Sequence, residues 1–208
     1  MKKFLIRLNY KKWFNVLRDG IARNNPIVVT VLGICSSLAV ANMVENAIAM
    51  GIGVTLVTML SSAFIALIRN LIPSQVRMVT YMVVISTFTI VFEMFLKALT
   101  PDIAERLGAY VGLIITNCIV MGRAEAYAVK NPVRYSTIDA FASGMGYTFV
   151  LIVMSVIREL LSNGSILNIQ LLGADWINWT IFAIAPGGFF VISLFIWGLR
   201  VWLKYYEE

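Results

Sequence analysis

The chain has 208 residues, of which 60% are hydrophobic and only 13% are charged, and its mean hydropathy is +0.83. A soluble domain of this size cannot cover so much apolar surface, so the composition excludes an ordinary soluble protein and predicts one that is solvated by lipid. The net charge is +6, but the basic residues lie at the edges of apolar runs, which argues against nucleic acid as a partner. The absence of histidine excludes bis-histidine haem and histidine-ligated copper or iron.

The N-terminal segment 1–25 is basic and interrupted by charge throughout. It contains no short apolar core before a small-residue cleavage site, so we predict no cleavable signal peptide. Apolar residues recur among the lysines at roughly helical spacing, which favours an amphipathic helix at the membrane interface. These are Phe4, Leu5, Leu8, Trp13, Phe14 and Leu17.

Six apolar runs follow, each about 20 residues long, which is the length needed to cross the hydrocarbon core. They cover 26–44, 47–68, 77–99, 108–128, 138–161 and 178–203. Pro26 suits the first position of the first helix. The pattern predicts an all-α integral membrane protein with a single six-helix transmembrane domain over 26–203 and a short tail at 204–208.

The distribution of Lys and Arg predicts the orientation of these spans. With the N-terminus in the cytoplasm, most of the 17 basic residues fall on the cytoplasmic side. Only Lys97, Arg106 and Arg158 fall on or near the outer side. The positive-inside rule therefore predicts that both termini are cytoplasmic.

The two halves of the sequence resemble each other. The stretches 31-VLGICSSLAV-40 and 111-VGLIITNCIVMG-122 each place a glycine upstream of a cysteine, and a later span in each half ends in an Ile-Arg pair, 67-LIRNLIP-73 and 156-VIRELLS-162. Three spans per half invert the second half relative to the first. We therefore predict two inverted repeats, 26–99 and 108–203, with broken helices that carry the cysteines.

Cys35 and Cys118 are the two cysteines, and each is about nine or ten residues into its span, roughly 14 to 15 Å from the membrane edge. Three interpretations are open: small buried packing residues, a disulfide, or metal ligands. Thiolates favour iron–sulfur clusters, zinc or copper(I), and two thiols with two from a partner complete a four-cysteine iron–sulfur site. Gly33, Gly112 and Gly122 would let the backbone open or approach closely there.

Acidic residues near the spans are candidates for a cation path because intramembrane acids are rare and often functional. Glu93 is the deepest and has Lys97 at i+4 as a potential partner. Asp139 is predicted to open the fifth span as a cap or dipole partner, and Glu159 to pair with Arg158 at a helix end. The chain shows no compact set of hard oxygen ligands, so we do not expect a complete Na⁺ site within it.

Several stretches resemble one family of membrane subunits, found in the Na⁺-translocating NADH:quinone oxidoreductase (Nqr) and in the Rnf complex. These are 24-NNPIVVTVLGICSSLAV-40, 65-IALIRNLIPSQVR-77, 111-VGLIITNCIVMGRAEAYA-128 and 144-GMGYTFVLIVMSVIREL-160. The resemblance covers about residues 24–200, and the stretch around Cys118 is more similar to the Nqr branch than to the E subunit of Rnf.

The resemblance implies more than the spacing does. In this family two homologous subunits of inverted topology meet within the membrane, and each gives two cysteines to a shared [2Fe-2S] cluster. The matching positions here are Cys35 and Cys118, and the partner would be like the E subunit of Nqr. The cluster would relay electrons between subunits that bind NADH, flavins and quinone in a bacterial inner membrane.

The resemblance also accounts for the residues after Cys118. Gly122 is predicted to end or bend the helix, which would place Arg123 and Glu125 at the cytoplasmic rim as a snorkelled arginine with a neighbouring acid.

Two further interpretations belong to other functional classes. A small secondary transporter with inverted repeats would need polar groups at the broken helices, where the sequence offers Ser36, Ser37, Thr116 and Asn117 beside the cysteines. A purely structural membrane anchor is the other. The sequence contains no nucleotide-binding glycine loop and no catalytic dyad, so a complete active site is not expected in this chain.

Overall fold

The computed structural model describes residues 32–99, 110–163 and 184–207, together with positions 108, 165–166, 169–170 and 181. The predicted interfacial helix in 1–25, the start of the first span and the start of the sixth lie outside these residues. Within them the chain is helical apart from turns and one small hairpin. In this hairpin β1 (Ser165–Ile166) pairs antiparallel with β2 (Ile169–Gln170).

Six α-helices are described in chain order. They are α1 (Ile34–Val40), α2 (Val44–Ile68), α3 (Arg77–Leu99), α4 (Cys118–Arg123), α5 (Val133–Asn163) and α6 (Ala185–Glu207). A 3₁₀ turn at Ser74–Val76 precedes α3, and a π-helical turn at Ala124–Ala128 follows α4.

Three helices in the described part of the chain are long and apolar enough to cross a membrane: Val44–Ile68, Arg77–Leu99 and Val133–Ser162. They correspond to the predicted second, third and fifth spans, although α5 begins five residues earlier than predicted. A shorter apolar helix, Pro186–Gly198, lies within the predicted sixth span, and α6 continues through the predicted tail to Glu207.

Where the structure describes them, the predicted first and fourth spans are not continuous helices. In the first, α1 has only seven residues and the chain turns at 41–43 before α2 begins. In the fourth, a helical segment over 110–115 is interrupted at 116–117, and α4 starts at Cys118. The expected break near Cys118 is therefore present, and near Cys35 the described chain starts with a turn at 32–33 that leads into α1. Gly122 was predicted to end or bend the helix; it does not end it, because α4 continues to Arg123 and then widens into the π turn.

Helices α2 and α5 form the centre of the fold and pack most extensively against each other. Small residues make this possible: a Cβ at Gly144 would lie 2.9 Å from Thr55 Cα, and one at Gly51 would lie 2.6 Å from Thr148 Cγ2. Small residues let helix backbones approach closely in lipid, where apolar burial between helices gains little. The pairing of Gly51 with Thr148 and Thr55 with Gly144 means that the two helices run antiparallel.

Helix α3 lies at the periphery, because only 22% of its most apolar 18-residue stretch is buried. Its outward face presents Met78, Val79, Val83, Ile90, Val91, Met94 and Phe95. Helix α6 is similarly exposed. The short helices α1 and α4 pack against the α2–α5 centre. Both cysteines therefore lie on helices that contact the central helix pair.

Candidate functional site

The two cysteines, distant in sequence, lie together. The backbone N–H of Gly33 donates a hydrogen bond of 2.8 Å to Cys118 Sγ, and the side chains of Cys118 and Cys35 are close enough to interact electrostatically. Both are free thiols. The fold thus makes a two-thiol site from two broken helices.

This site opens at the surface of the chain. Cys35 is exposed and Cys118 is half-buried. Cys35 is therefore not a buried packing residue of this chain. An exposed thiol beside a half-buried one is an arrangement that a second protein can cover and complete.

Gly33 shapes the first half of the site. It adopts the left-handed conformation with φ 86° and ψ 9° at the N-cap of α1, which strains any residue with a Cβ. A Cβ there would also lie 2.6 Å from Ile119 Cδ1 and 3.2 Å from Tyr147 Cε2. The glycine turns its N–H towards Cys118 and lets the two broken helices come close.

Asn117 shapes the second half. It is the N-cap of α4, and its Oδ1 accepts a 3.0 Å hydrogen bond from the N–H of Ile119. This cap satisfies one of the N–H groups that a helix start leaves without an intrahelical partner. Cys118 is consequently the first residue of α4, much as Cys35 is the second residue of α1.

A buried polar cluster lies behind the thiols. Asn117 Nδ2 donates to Ser36 Oγ at 3.2 Å, Ser36 Oγ lies 2.8 Å from the Tyr147 hydroxyl, and Ser36 also donates to Gly33 O at 3.1 Å. From the sequence, Ser36 and Asn117 were considered only as polar groups for a transporter, and Tyr147 was missed. Its signal was a tyrosine in the apolar run 144-GMGYTFVLIVM-154, since a buried tyrosine hydroxyl normally has a hydrogen-bond partner.

The other two candidate glycines differ from Gly33. A Cβ at Gly122 would lie 3.1 Å from Leu32 Cδ1, and one at Gly112 would meet nothing within 4 Å. Gly112 therefore lies in open space on the exposed side of the 110–115 segment, without a steric need for glycine among the described residues.

Asp139 does not open the fifth span, because α5 starts at Val133. It is 5% exposed and lies within the helix, where its carboxylate pairs with Arg123. Arg123 Nε donates to Asp139 Oδ2 at 2.8 Å, Nη2 donates to Oδ1, and the guanidinium lies 5.6 Å from the centre of the Tyr127 ring. Arg123 is therefore not a free, snorkelled side chain, since it ties α4 to α5, whereas its placement at the cytoplasmic rim stays a prediction.

Glu125 lies in the π-helical turn and contacts α3. Its Oε2 accepts a 2.7 Å hydrogen bond from the Tyr81 hydroxyl, and its Oε1 lies 3.5 Å from Arg77 Nη1. The π turn places this carboxylate against the start of α3. Glu93 pairs with Lys97 at 2.7 Å, which confirms the predicted i,i+4 ion pair.

Arg158 and Glu159, predicted to pair at a helix end, lie before the last turn of α5 and contact the break between α1 and α2. Arg158 Nη1 donates to Leu38 O at 3.0 Å, and Glu159 Oε2 accepts from the Val44 N–H at 2.8 Å. A cation therefore meets the carbonyl end of α1, and an anion meets the N–H end of α2, as helix dipoles favour.

Among the described residues no group of three or more His, Cys, Asp or Glu side chains is placed to hold a metal ion. Glu93 and Asp139, the two candidates for a cation path, each form an ion pair with a basic side chain. The described acids are therefore spread over the fold, and the two cysteines form a pair by themselves.

The chain is similar in sequence to membrane subunits of known complexes. The chain is 45% identical over 190 residues to a protein from Yersinia pestis (strain Pestoides F) that is named as the D subunit of Na(+)-translocating NADH-quinone reductase, covering 89% of this chain and 91% of that one. It is 44% identical over 199 residues to the protein of the same name from Haemophilus influenzae (strain PittGG), covering 93% and 96%. The model of the family described as "Rnf-Nqr subunit, membrane protein" matches residues 13–196. The chain belongs to this Rnf-Nqr family of membrane subunits.

Proposed function

We propose that this chain is the D subunit of a Na⁺-translocating NADH:quinone oxidoreductase in a bacterial inner membrane. In this role it supplies Cys35 and Cys118 to a [2Fe-2S] cluster shared with a homologous, inverted partner like the E subunit of Nqr. The names of the relatives support membership of the complex. The observation that carries the cluster assignment is the two-thiol site formed by the broken helices.

The residues present fit half of such a cluster. A [2Fe-2S] cluster is held by four thiolates, and the chain has two cysteines in total. Both are free, mutually interacting thiols, and Cys35 faces outward. The remaining two ligands must then come from another chain, and the open side of the site is where that chain would contribute them.

The backbone N–H groups around the two cysteines would stabilise negatively charged thiolate ligands. The Gly33 N–H already donates to Cys118 Sγ, and each cysteine lies in the first turn of a helix, where backbone N–H groups carry partial positive charge. Hydrogen bonds to cluster sulfurs are among the factors that set reduction potentials.

When bound, the cluster would supply one-electron transfer near the middle of the membrane. This chain holds the two thiols at a fixed depth and separation, through the Gly33 hydrogen bond and the Asn117 cap. It also keeps the inner side of the site packed by Ile119 and Tyr147, both 0% exposed, which excludes water from that side. NADH oxidation, flavin chemistry and quinone reduction belong to other subunits in this proposal.

We further propose that the domain over 26–203 has six spans in two inverted repeats, with both termini cytoplasmic. Support comes from the matching breaks: in each half a short helix begins within one residue of its cysteine. The bias of Lys and Arg towards one side supports the orientation. Na⁺ passage is assigned to another subunit or an interface, because the described acids form no cluster.

The E subunit of an Rnf complex is the second candidate, since the matching family model covers subunits of both complexes. The relatives at 44–45% identity carry Nqr names and favour the D subunit of the Na⁺-translocating NADH:quinone oxidoreductase. The secondary-transporter interpretation receives less support, because Ser36 and Asn117 bond to each other behind the thiols and Ser37 donates to the carbonyl of Ile34.

The test is to purify the co-expressed complex and measure iron content and the low-temperature EPR spectrum after reduction. Cys35→Ser and Cys118→Ser should each remove one [2Fe-2S] signal and leave the other centres intact. Thr89→Ser, an equally small change at a buried position of α3, should keep every signal. An unchanged iron count and spectrum in both cysteine variants would refute the proposal.

A further inference from the structure

Three side chains behind the thiols form a hydrogen-bonded group that joins three separate elements. Ser36 belongs to α1, Asn117 caps α4, and Tyr147 lies in α5. All three are 0% exposed. Each of the first two is the sequence neighbour of a cysteine: Ser36 follows Cys35, and Asn117 precedes Cys118.

The hydroxyl of Ser36 uses its donor proton and both of its acceptor lone pairs within this group. A serine hydroxyl has one proton to donate and two lone pairs. Ser36 donates to Gly33 O at 3.1 Å and accepts from Asn117 Nδ2 at 3.2 Å. The 2.8 Å contact between Ser36 Oγ and the Tyr147 hydroxyl therefore has Tyr147 as its donor.

The side-chain amide of Asn117 also uses both its oxygen and its nitrogen in hydrogen bonds. Its Oδ1 accepts from the Ile119 N–H at 3.0 Å, which fixes the start of α4, and its Nδ2 donates to Ser36 Oγ, which in turn lies 2.8 Å from the Tyr147 hydroxyl. Buried polar networks of this kind rigidify a structure when every member is satisfied. Here the rigid part includes both backbone breaks from which the thiols project.

Tyr147 differs from its two partners because it lies on a long, well-packed helix. Ser36 and Asn117 belong to α1 and α4, which have seven and six residues and are too short to be stable without tertiary contacts. The ring of Tyr147 also packs against the left-handed turn, since a Cβ at Gly33 would lie 3.2 Å from its Cε2.

We propose that Tyr147 is a positioning residue for the thiol pair: its hydroxyl, acting through Ser36 and Asn117, fixes the separation and orientation of Cys35 and Cys118. The proposal rests on the proposed function only where the cluster is the readout. Outer partners of metal ligands orient those ligands, and their loss typically costs about 10- to 100-fold in metal affinity or activity.

The first arm of the test uses the thiols themselves. The full complex is stripped of iron by a reductant applied together with a chelator. The rate at which N-ethylmaleimide then labels each cysteine is followed by peptide mass spectrometry. In Tyr147→Phe the half-buried Cys118 should react about fivefold faster, as expected when hydrogen bonds that hold its helix start are lost. Cys35, which is exposed on this chain by itself, should change much less.

The matched control is Tyr81→Phe. Tyr81 is also 0% exposed, and its hydroxyl donates one partly buried hydrogen bond, at 2.7 Å to Glu125, but it touches neither Ser36 nor Asn117 in the described contacts. It should leave the labelling of Cys118 unchanged. Equal labelling rates in Tyr147→Phe and Tyr81→Phe would overturn the proposal.

The second arm uses the iron-loaded complex. In Tyr147→Phe the [2Fe-2S] EPR signal should remain but shift in its g-values, and a chelator should remove the iron about tenfold faster. Tyr81→Phe should match the wild type in both. An unaltered spectrum and an unaltered rate of iron loss would also count against the positioning role.

A third variant keeps the proposal falsifiable when Tyr147→Phe does not accumulate. Ser36→Ala breaks the same connection from the other end and should reproduce the faster labelling of Cys118, whereas a wild-type rate would contradict the proposal. Where both variants accumulate, the double variant should resemble either single one, because residues of one network are not additive. If the cysteine variants retain the cluster, the proposed function fails while the labelling arm still decides the role of Tyr147.

Discussion

The backbone N–H of Gly33 donates a hydrogen bond to the sulfur of Cys118 across 85 residues of sequence, at 2.8 Å. This single contact joins the two broken helices at the point where each carries its thiol. It exists because Gly33 holds a left-handed backbone conformation and because no side chain intervenes between the turn and Ile119.

Gly33→Ala should disrupt the site. The left-handed conformation costs a residue with a Cβ about 1–2 kcal/mol, and the new methyl would lie 2.6 Å from Ile119 Cδ1. We expect a smaller amount of the [2Fe-2S] signal per complex, measured by EPR after reduction. Gly112→Ala is the control and should be neutral within this chain, because nothing lies within 4 Å of its Cβ position. A full cluster signal in Gly33→Ala would contradict the interpretation.

The Arg123–Asp139 pair should contribute to the stability of the α4–α5 contact. Asp139 is buried and Arg123 is partly so, and removing one partner of a buried pair leaves an uncompensated charge, which costs about 3–5 kcal/mol. We expect Asp139→Ala to lower the melting temperature of the detergent-purified complex.

The control for Asp139→Ala is Glu93→Gln, which breaks an ion pair whose lysine is 60% exposed. This change should have little effect on the melting temperature, since exposed pairs contribute about 0–1 kcal/mol. The combined Arg123→Gln and Asp139→Asn variant should be less destabilised than the sum of the single changes. Strict additivity would show that the two side chains do not act as a pair.

The α2–α5 contact should not tolerate larger residues at its small positions. In Gly144→Ala the new Cβ would lie 2.9 Å from Thr55 Cα, a backbone atom that cannot rotate away. We expect a loss of about 1–3 kcal/mol, as in other overpacked cores, seen as reduced accumulation of the protein in membranes. Gly198→Ala on α6, where nothing lies within 4 Å, should accumulate normally. Wild-type levels of Gly144→Ala would show that the helices can separate without cost.

The carboxylate of Glu159 should stabilise the start of α2. It accepts the N–H of Val44 at 2.8 Å, and loss of a helix cap costs about 1 kcal/mol. Glu159→Ala should lower the thermal stability of the complex, whereas Glu159→Gln keeps an acceptor oxygen and should retain part of the effect. Glu45→Gln, an exposed acid in the first turn of the same helix, is the control. Equal stabilities of Glu159→Ala and Glu45→Gln would argue against the capping role.

Much of the architecture was predictable from apolar periodicity and length. The second, third and fifth spans were recognised because lipid requires long runs of apolar residues, and α3 matches its predicted bounds of 77–99. The break before Cys118 was anticipated from the inverted repeats and from the glycines near the cysteines. The start of α5 was placed five residues too late, because 133-VRYST-137 is polar on average and apolar length alone gives no signal there.

The sequence by itself determined that this is a membrane protein with two cysteines in its apolar spans, since composition and run length decide which solvent a chain requires. It also predicted the Glu93–Lys97 pair, because partners four residues apart meet on any helix. Only the tertiary structure decided that Gly33 donates to Cys118, that Arg123 pairs with Asp139 and that Tyr147 joins Ser36 behind the thiols. Those contacts connect residues on different helices, and their formation depends on how closely the helices pack.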